Sequence, residues 1–292
     1  MSRRARYDAR MFLLFIAPNF LLLALFVFWP VIYSLYLSFF KWNMVAKTKP
    51  FIGFDNYLTM VRDPVFWLVL RNTFVLALGV VVIKLSIALL LSVVLNRRMP
   101  GRAVYRAIIF SPTFTTSVAV AMVWSWILDP NYGLLRVFLN LVGLASPNWL
   151  GDVNWSLSAV MIVMIWAGVG YDMVYFLAGL QAIPGELYDA VRVDGATPWQ
   201  TFWKLTFPLL SPITFFLLVT SVIGALKAFD LVSIMTQGGP LNSSNVYVHY
   251  LYQNAFKWFK SGYASALAMV LFGIIMVITL VQTKLSNRWV HY

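Results

Sequence analysis

Cysteine is absent, and only two histidines occur, His249 and His291. The first absence excludes disulfides, thiolate metal sites and cysteine nucleophiles, and no metal site is expected. Both histidines fall outside the long apolar stretches, which removes the usual neutral-pH proton relay from a membrane interior. Charge is scarce as well. Charged residues make up 11% of the chain, where a soluble domain carries about a quarter. Acidic residues number only 10 against 22 basic ones. Missing too is the glycine-rich phosphate loop ending in Gly-Lys-Ser/Thr, whose amides and lysine would be needed to cradle ATP.

What is present is apolar: 61% of the residues are hydrophobic. A helix needs about 20 mainly apolar residues to cross a bilayer, and six stretches qualify, 11–40, 69–95, 103–128, 156–180, 212–236 and 262–284. Period-two alternation is weak, which argues against a barrel, and unpaired backbone groups cannot face lipid, so each stretch is predicted to be helical. The fold class is an all-α polytopic membrane protein with six transmembrane helices. Arginines lead into the first stretch, but it is long and has no small-residue cleavage site, so it is read as a retained helix with kinks at Pro18 and Pro30. The connections 41–68, 129–155 and 237–261 are short and rich in Pro, Gly, Asn and Trp. Residues 1–292 are therefore expected to form a single transmembrane domain. No internal repeat is visible, unlike the inverted-repeat secondary transporters.

Basic residues set the orientation. Arg3, Arg4, Arg6 and Arg10 precede the first stretch, and Arg97, Arg98, Arg102 and Arg106 crowd the second connection. The positive-inside rule places both groups, and with an even number of spans both termini, in the cytoplasm. Lys41, Lys47, Lys49 and Arg62 are spread more thinly over the first outer loop. The net charge of +12 does not indicate nucleic acid, because the basic residues are split among short loops, as contact with anionic membrane lipid requires.

Residues 184–208 interrupt the apolar pattern. Leu187, Ala190 and Val191, then Trp199, Phe202, Trp203 and Leu205, recur at helical spacing and predict two short amphipathic helices. Gly195 is expected to end the first, Pro198 to occupy the first turn of the second, and Pro208 to stop it. Asp189-Ala190-Val191, Gly195 six positions after the acid, and the closing Leu205 and Pro208 resemble the EAA loop of ABC-importer permeases. Asp189 stands for the usual Glu, Val191 for Ala, Leu205 for Ile and Phe207 for Leu. Leu177-Ala178-Gly179-Leu180-Gln181-Ala182-Ile183-Pro184, Asp194-Gly195-Ala196, Thr236-Gln237-Gly238-Gly239-Pro240 and Ile52-Gly53-Phe54-Asp55-Asn56-Tyr57 are similar to the carbohydrate-uptake permeases of the maltose and glycerol-3-phosphate type.

That resemblance implies a transport subunit, not an enzyme, in a bacterial-type cytoplasmic membrane. It implies a second homologous permease subunit, two cytoplasmic ATPase subunits that bind ATP and Mg, and an extracytoplasmic solute-binding protein, with no cofactor in this chain. The loop would insert into a groove of the ATPase through Glu186, Asp189, Ala190, Val191, Asp194, Gly195, Ala196, Leu205 and Pro208. Asp189 either bonds at that groove or caps its own helix. The implied solute is a sugar, oligosaccharide or related polyol, with a glycerol-3-phosphate-type permease as the alternative. An ion-coupled secondary carrier would also use membrane charges, but it has no need of this loop.

Polar residues inside spans are costly and mark a pathway. The fourth stretch offers Trp166, Gly168, Tyr171, Asp172 and Tyr175, and the fifth offers Ser221, Lys227, Phe229 and Asp230. The resemblance places Gly168, Tyr171 and Ser221 at solute-contacting positions, while Gly224, Ala225 and Ala228 stand where that type carries larger or polar residues. Tyr171 and Ser221 are expected to meet near mid-membrane. The competing readings are aromatic packing for Trp166 and Tyr175, and mutual neutralisation of Lys227 and Asp230 on one helix face. Lys84 lies too deep in the second stretch to snorkel and is expected to face a cavity, Asp172 or the partner subunit.

Overall fold

The computed structural model describes residues 3–97 and 99–290; Arg98, His291 and the side chains of Arg3, Arg4, Arg6 and Arg10 lie outside that description. Among the described residues five helices are long and apolar enough to cross a membrane: Leu14–Ser38, Pro64–Asn96, Ser156–Ala182, Ser211–Met235 and Ser261–Ser286. A bent pair, Arg102–Phe114 and Ser117–Ile127, makes a sixth if it is counted as one span. The contacts divide the chain into two units, one running from the N-terminus to Asp63 with Leu251–Gly273, the other Pro64–Tyr250 with Ile274 to the C-terminus.

In the first unit, α1 (Arg3–Leu23) continues through Pro18 and reaches α2 (Trp29–Ser38) by a π-helical turn, Ala24–Phe28. Trp29 N–H donates to Ala24 O across that turn. The wider turn relieves the clash between the Pro30 ring and the preceding carbonyls, so the helix is widened rather than broken there. The short helix α3 (Asp55–Arg62) follows. Asn56, nearly buried, donates from Nδ2 to the carbonyls of Ser38 at 2.7 Å and Phe40 at 3.1 Å. Those are orphan acceptors at the end of α2, so the Phe-Asp-Asn-Tyr segment works as a C-terminal cap supplied from a distance.

In the second unit, α4 (Pro64–Asn96) is followed by α5 (Arg102–Phe110) and α6 (Ser117–Ile127). The stretch 103–128 is not one straight helix, because the chain turns by 104° between these helices. Pro112 has no N–H to continue the ladder, Thr115 and Thr116 are extended, and the Thr116 hydroxyl accepts from Ala119 N at 3.4 Å as a new N-cap. Arg106, counted above only as a topological charge, donates from Nη2 to Leu95 O at 2.8 Å and satisfies the end of α4.

After α7 (Leu134–Leu141), α8 (Ser156–Ala182) lies along α4. Leu76, Ala77, Val80 and Val81 pack with Val160 in one buried cluster, and Ala88 and Leu95 with Val169, Met173 and Phe176 in another, so the two helices run parallel. Two glycines of α8 permit close packing. A methyl on Gly170 would run into the Ile109 carbonyl, and one on Gly179 would meet Ile213 and Leu210. Small residues at such crossings let helices approach.

The coupling segment comprises α9 (Gly185–Val193), α10 (Pro198–Thr201), a π turn over Phe202–Thr206 and α11 (Phe207–Leu209). Pro208 does not stop the second arm as expected. The π turn, in which Phe207 N–H donates to Phe202 O, accommodates the proline, and the chain passes through Leu210 into α12 (Ser211–Leu226). The short α13 (Asp230–Met235) and α14 (Tyr247–Tyr252) precede α15 (Ser261–Ser286). Between α13 and α14 the Gln237-Gly238-Gly239-Pro240 segment sits in a polar network. Asn72 donates to the Asn242 and Asn245 carbonyls at 2.9 and 3.1 Å, Tyr247 N donates to Thr73 Oγ1 at 2.8 Å, and buried His249 meets Asn245 Oδ1 at 2.9 Å. Gly238 has a positive φ of 80°, and a methyl on it would come within 3.0 Å of the His249 ring. This network accounts for the motif by packing and hydrogen bonding alone.

Candidate coupling and translocation site

The hairpin over 184–208 is built from local signals. Helix α9 ends in a Schellman arrangement: Gly195 N donates to Arg192 O at 3.1 Å and Ala196 N to Val191 O at 3.2 Å, with Gly195 at φ +77°. Thr197 then caps α10, its hydroxyl accepting from Gln200 N while Gln200 Oε1 accepts from Thr197 N at 2.8 Å. This reciprocal box was legible as Thr197-x-x-Gln200 before Pro198, although the reading of the sequence above rested on Gly195 and Pro198 alone. The Tyr188 and Thr206 hydroxyls share a 3.2 Å hydrogen bond that ties the two arms together.

The hairpin has an inner side of mixed polarity and several exposed apolar side chains. A cleft of about 480 Å³ lies between it and the ends of α4 and α8, lined by Asn96, Leu180, Tyr188, Arg192, Thr201 and Thr206 among others. Leu187, Ala190, Val193, Trp199 and Trp203 are exposed, Val193 at 88% and Trp199 at 70%. Gly195 has no atom within reach of an added methyl, so its role is its left-handed backbone and not close packing within this chain. Asp189 does not cap α9, whose N-cap is Pro184 and whose first-turn acid is Glu186. It pairs instead with Arg192 one turn on at 3.1 Å, both side chains being largely exposed. Such a pair contributes little stability. Asp194 is the C-cap residue and Leu205 lies inside the π turn.

Within the spans, Lys84 and Asp172 meet. Lys84 Nζ lies 2.9 Å from Asp172 Oδ2, with side-chain exposures of 13% and 1%. No hydrogen-bond partner for that oxygen occurs among the described residues, so the ammonium alone neutralises it. An unpaired charge at this depth would cost at least about 2.5 kcal/mol. Gly168, one turn before Asp172, makes room for the lysine stem: an added methyl would stand 3.0 Å from Lys84 Cδ. Gly168, expected at a solute-contacting position, faces Lys84.

Tyr171 and Ser221 differ in their surroundings. Ser221 is buried at 7%, whereas Tyr171 is 38% exposed, hydrogen bonds to the Tyr175 hydroxyl at 3.1 Å, and has no hydrogen bond or ring contact with Ser221. Tyr175 in turn lies 5.5 Å from the Phe216 ring of α12. Through this contact the exposed stripe of α8, Trp166, Tyr171 and Tyr175, joins that of α12, Phe216, Thr220 and Gly224. Spacing could have shown that Thr220 and Gly224, not Ser221, follow Phe216 on one helical face. Trp166 also packs edge-on against Trp124 at 5.4 Å. Lys227 is the C-cap of α12 and Asp230 opens α13, so the break between them removes the shared face expected above, and no ion pair joins them.

A family model described as "Binding-protein-dependent transport system inner membrane component" matches residues 84–291. The probable ABC transporter permease protein YesP of Bacillus subtilis is 38% identical, with 100% of this chain and 95% of that protein covered. The sulfoquinovosyl glycerol transport system permease protein SmoG of Agrobacterium fabrum is 33% identical over 95% of this chain and 91% of its own length. A chain in the crystal structure of a bacterial ABC transporter involved in the import of the acidic polysaccharide alginate superposes with a TM-score of 0.85 at 25% identity, covering 98% of this chain and 99% of that one.

Proposed function

The chain belongs to the family of binding-protein-dependent transport system inner membrane components, and on that premise we propose that it is the permease subunit through which an ATP-driven importer passes a sugar, oligosaccharide or polyol. The solute class rests on the relatives, whose names include transport of a sulfoquinovosyl glycerol and import of alginate. ATP and Mg are bound by two separate cytoplasmic ATPase subunits, a second homologous permease completes the membrane core, and an extracytoplasmic binding protein delivers the solute. Both termini and the hairpin face the cytoplasm, and 1–292 acts as one permease domain. Glu186, Asp189, Ala190, Val191, Asp194, Gly195, Ala196, Leu205 and Pro208 form the coupling element.

The observation that carries this reading is the exposed side of the hairpin. Leu187, Ala190, Val193, Trp199 and Trp203 are all exposed on a doubly capped turn, with Trp199 edge-on to Trp203 at 5.6 Å. Patches of that kind mark interfaces. When ATP closes the ATPase pair the hairpin moves with it, and α8, which leads directly into α9 through Ile183 and Pro184, passes the movement into the membrane. Solute then slides past the exposed aromatic stripe of Trp166, Tyr171 and Tyr175, which offers ring faces to pyranose carbons and a hydroxyl to their polar edges. A secondary carrier is disfavoured because Asp172 is held by Lys84 and is not available to load a coupling ion.

The chain has no native cysteine, so a single one placed at Ala190 can carry a short photo-crosslinker without background. In the assembled complex, adducts to an ATPase subunit are expected. Adducts to lipid alone would contradict the docking role.

A further inference from the structure

The Lys84–Asp172 pair raises a question that stability does not answer. A buried ion pair can usually be replaced by apolar side chains of similar volume without loss of stability, whereas removing one partner is damaging. Each of these charges is also costly to insert into a membrane. A pair retained on such terms does something that packing alone would not.

Its position suggests what. Lys84 falls on α4 between Val81 and Ala88, one in each of the two buried clusters that join α4 to α8. Those clusters are built from Val, Ala, Leu, Met and Phe176, whose apolar contacts are non-directional. The Lys84–Asp172 ion pair, Nζ to Oδ2 at 2.9 Å, joins the only two charges that face each other between α4 and α8 among the described residues, so it is met in one setting of the helices. A slip of one turn, about 5.4 Å, would break it and leave both charges alone in hydrocarbon. Gly168 reinforces this, because its missing side chain is the channel along which the lysine stem reaches Asp172. Asp172 lies ten residues before the end of α8 at Ala182 and directly after Tyr171, which is on the exposed stripe.

We propose that Lys84, Asp172 and Gly168 form a positioning lock that fixes the axial and rotational setting of α8 on α4, so that hairpin movement reaches the aromatic stripe as a rigid displacement. The lock rests on the coupling role proposed for the hairpin. None of the three residues is a solute contact in this assignment; they act through α8.

The test uses the full complex in proteoliposomes with its binding protein, reading assembled yield, basal ATPase rate and solute imported per ATP. The apolar pair Lys84→Met with Asp172→Leu is expected to assemble, yet to import less solute per ATP by about threefold or more, a coupling change of the size single sites produce. The exchanged pair Lys84→Asp with Asp172→Lys is expected to recover most of that ratio. Gly168→Ala keeps both charges and displaces only the lysine stem, and is expected to lower the ratio at full yield. Wild-type import per ATP in the apolar pair overturns the lock. If the apolar pair does not assemble, Gly168→Ala decides, and a wild-type ratio there overturns it equally. Failure of the hairpin reading looks different, because the photo-crosslink from position 190 would then miss the ATPase even in the native chain.

Discussion

At the residue scale, several side chains have different duties from those their type suggests. Arg106 closes the end of α4 as well as contributing charge, and Asn56 caps α2 from the following loop. Gly170 is needed because a methyl there would strike backbone, whereas a methyl on Gly179 would have to displace the side-chain ends of Ile213 and Leu210. Nothing in the sequence alone marks such glycines, since the obstructing atoms, the Ile109 carbonyl and the Ile213 side chain, come from other helices. Tyr171 is the residue on which solute contact is most readily tested. Tyr171→Ala removes a ring contact worth about 1 kcal/mol, which corresponds to roughly fivefold in rate. Flux is expected to fall by that order while complex yield and basal ATPase rate hold. Tyr171→Phe loses only the 3.1 Å bond to Tyr175 and is expected to retain most flux. Proportional loss of flux, yield and ATPase rate in Tyr171→Ala would show that the ring merely packs the bundle.

At the element scale, the coupling hairpin is the part most fully legible beforehand. Its two helices, the Gly195 turn and the placement of Pro198 all follow from local chemistry, and local chemistry is what a sequence displays. Pro208 misled because proline ends a helix only when the preceding turn keeps α geometry, and here a π turn precedes it. The bend in the third apolar stretch was not legible for a related reason: composition measures length and hydrophobicity, and the 104° bend depends on Pro112 and Thr116 acting together. The hairpin account makes a graded expectation. Gly195 sits at φ +77° with open space around it, so the penalty for replacement is conformational. Gly195→Val should strain the turn by about 1–2 kcal/mol and reduce ATP-dependent uptake, whereas Gly195→Asn, which tolerates the left-handed region, should preserve it. Insertion and yield of the membrane helices are expected to be unchanged in both. Equal uptake from the two variants would mean that the turn geometry is irrelevant to coupling.

At the scale of the whole molecule, the long apolar helices and the two basic clusters were plain from composition, whereas the pairing of Lys84 with Asp172 was open. Lys84 had three possible neighbours, and only the parallel alignment of α4 with α8 chose among them. Tyr171 lies on the exposed side of α8, whereas Ser221 is buried on α12. The picture that results is a membrane subunit with a doubly capped hairpin, two helices joined by a buried ion pair, and an exposed aromatic stripe shared by α8 and α12. Its central claim, that transport through this chain is driven by ATP hydrolysed on other subunits, is tested most directly in proteoliposomes holding the chain, its partner permease and the ATPases, with the binding protein and a labelled oligosaccharide supplied outside. Uptake is expected to require enclosed ATP, to stop with vanadate, and to persist when an uncoupler collapses the proton gradient. Uptake that ignores vanadate and stops with the uncoupler would contradict it.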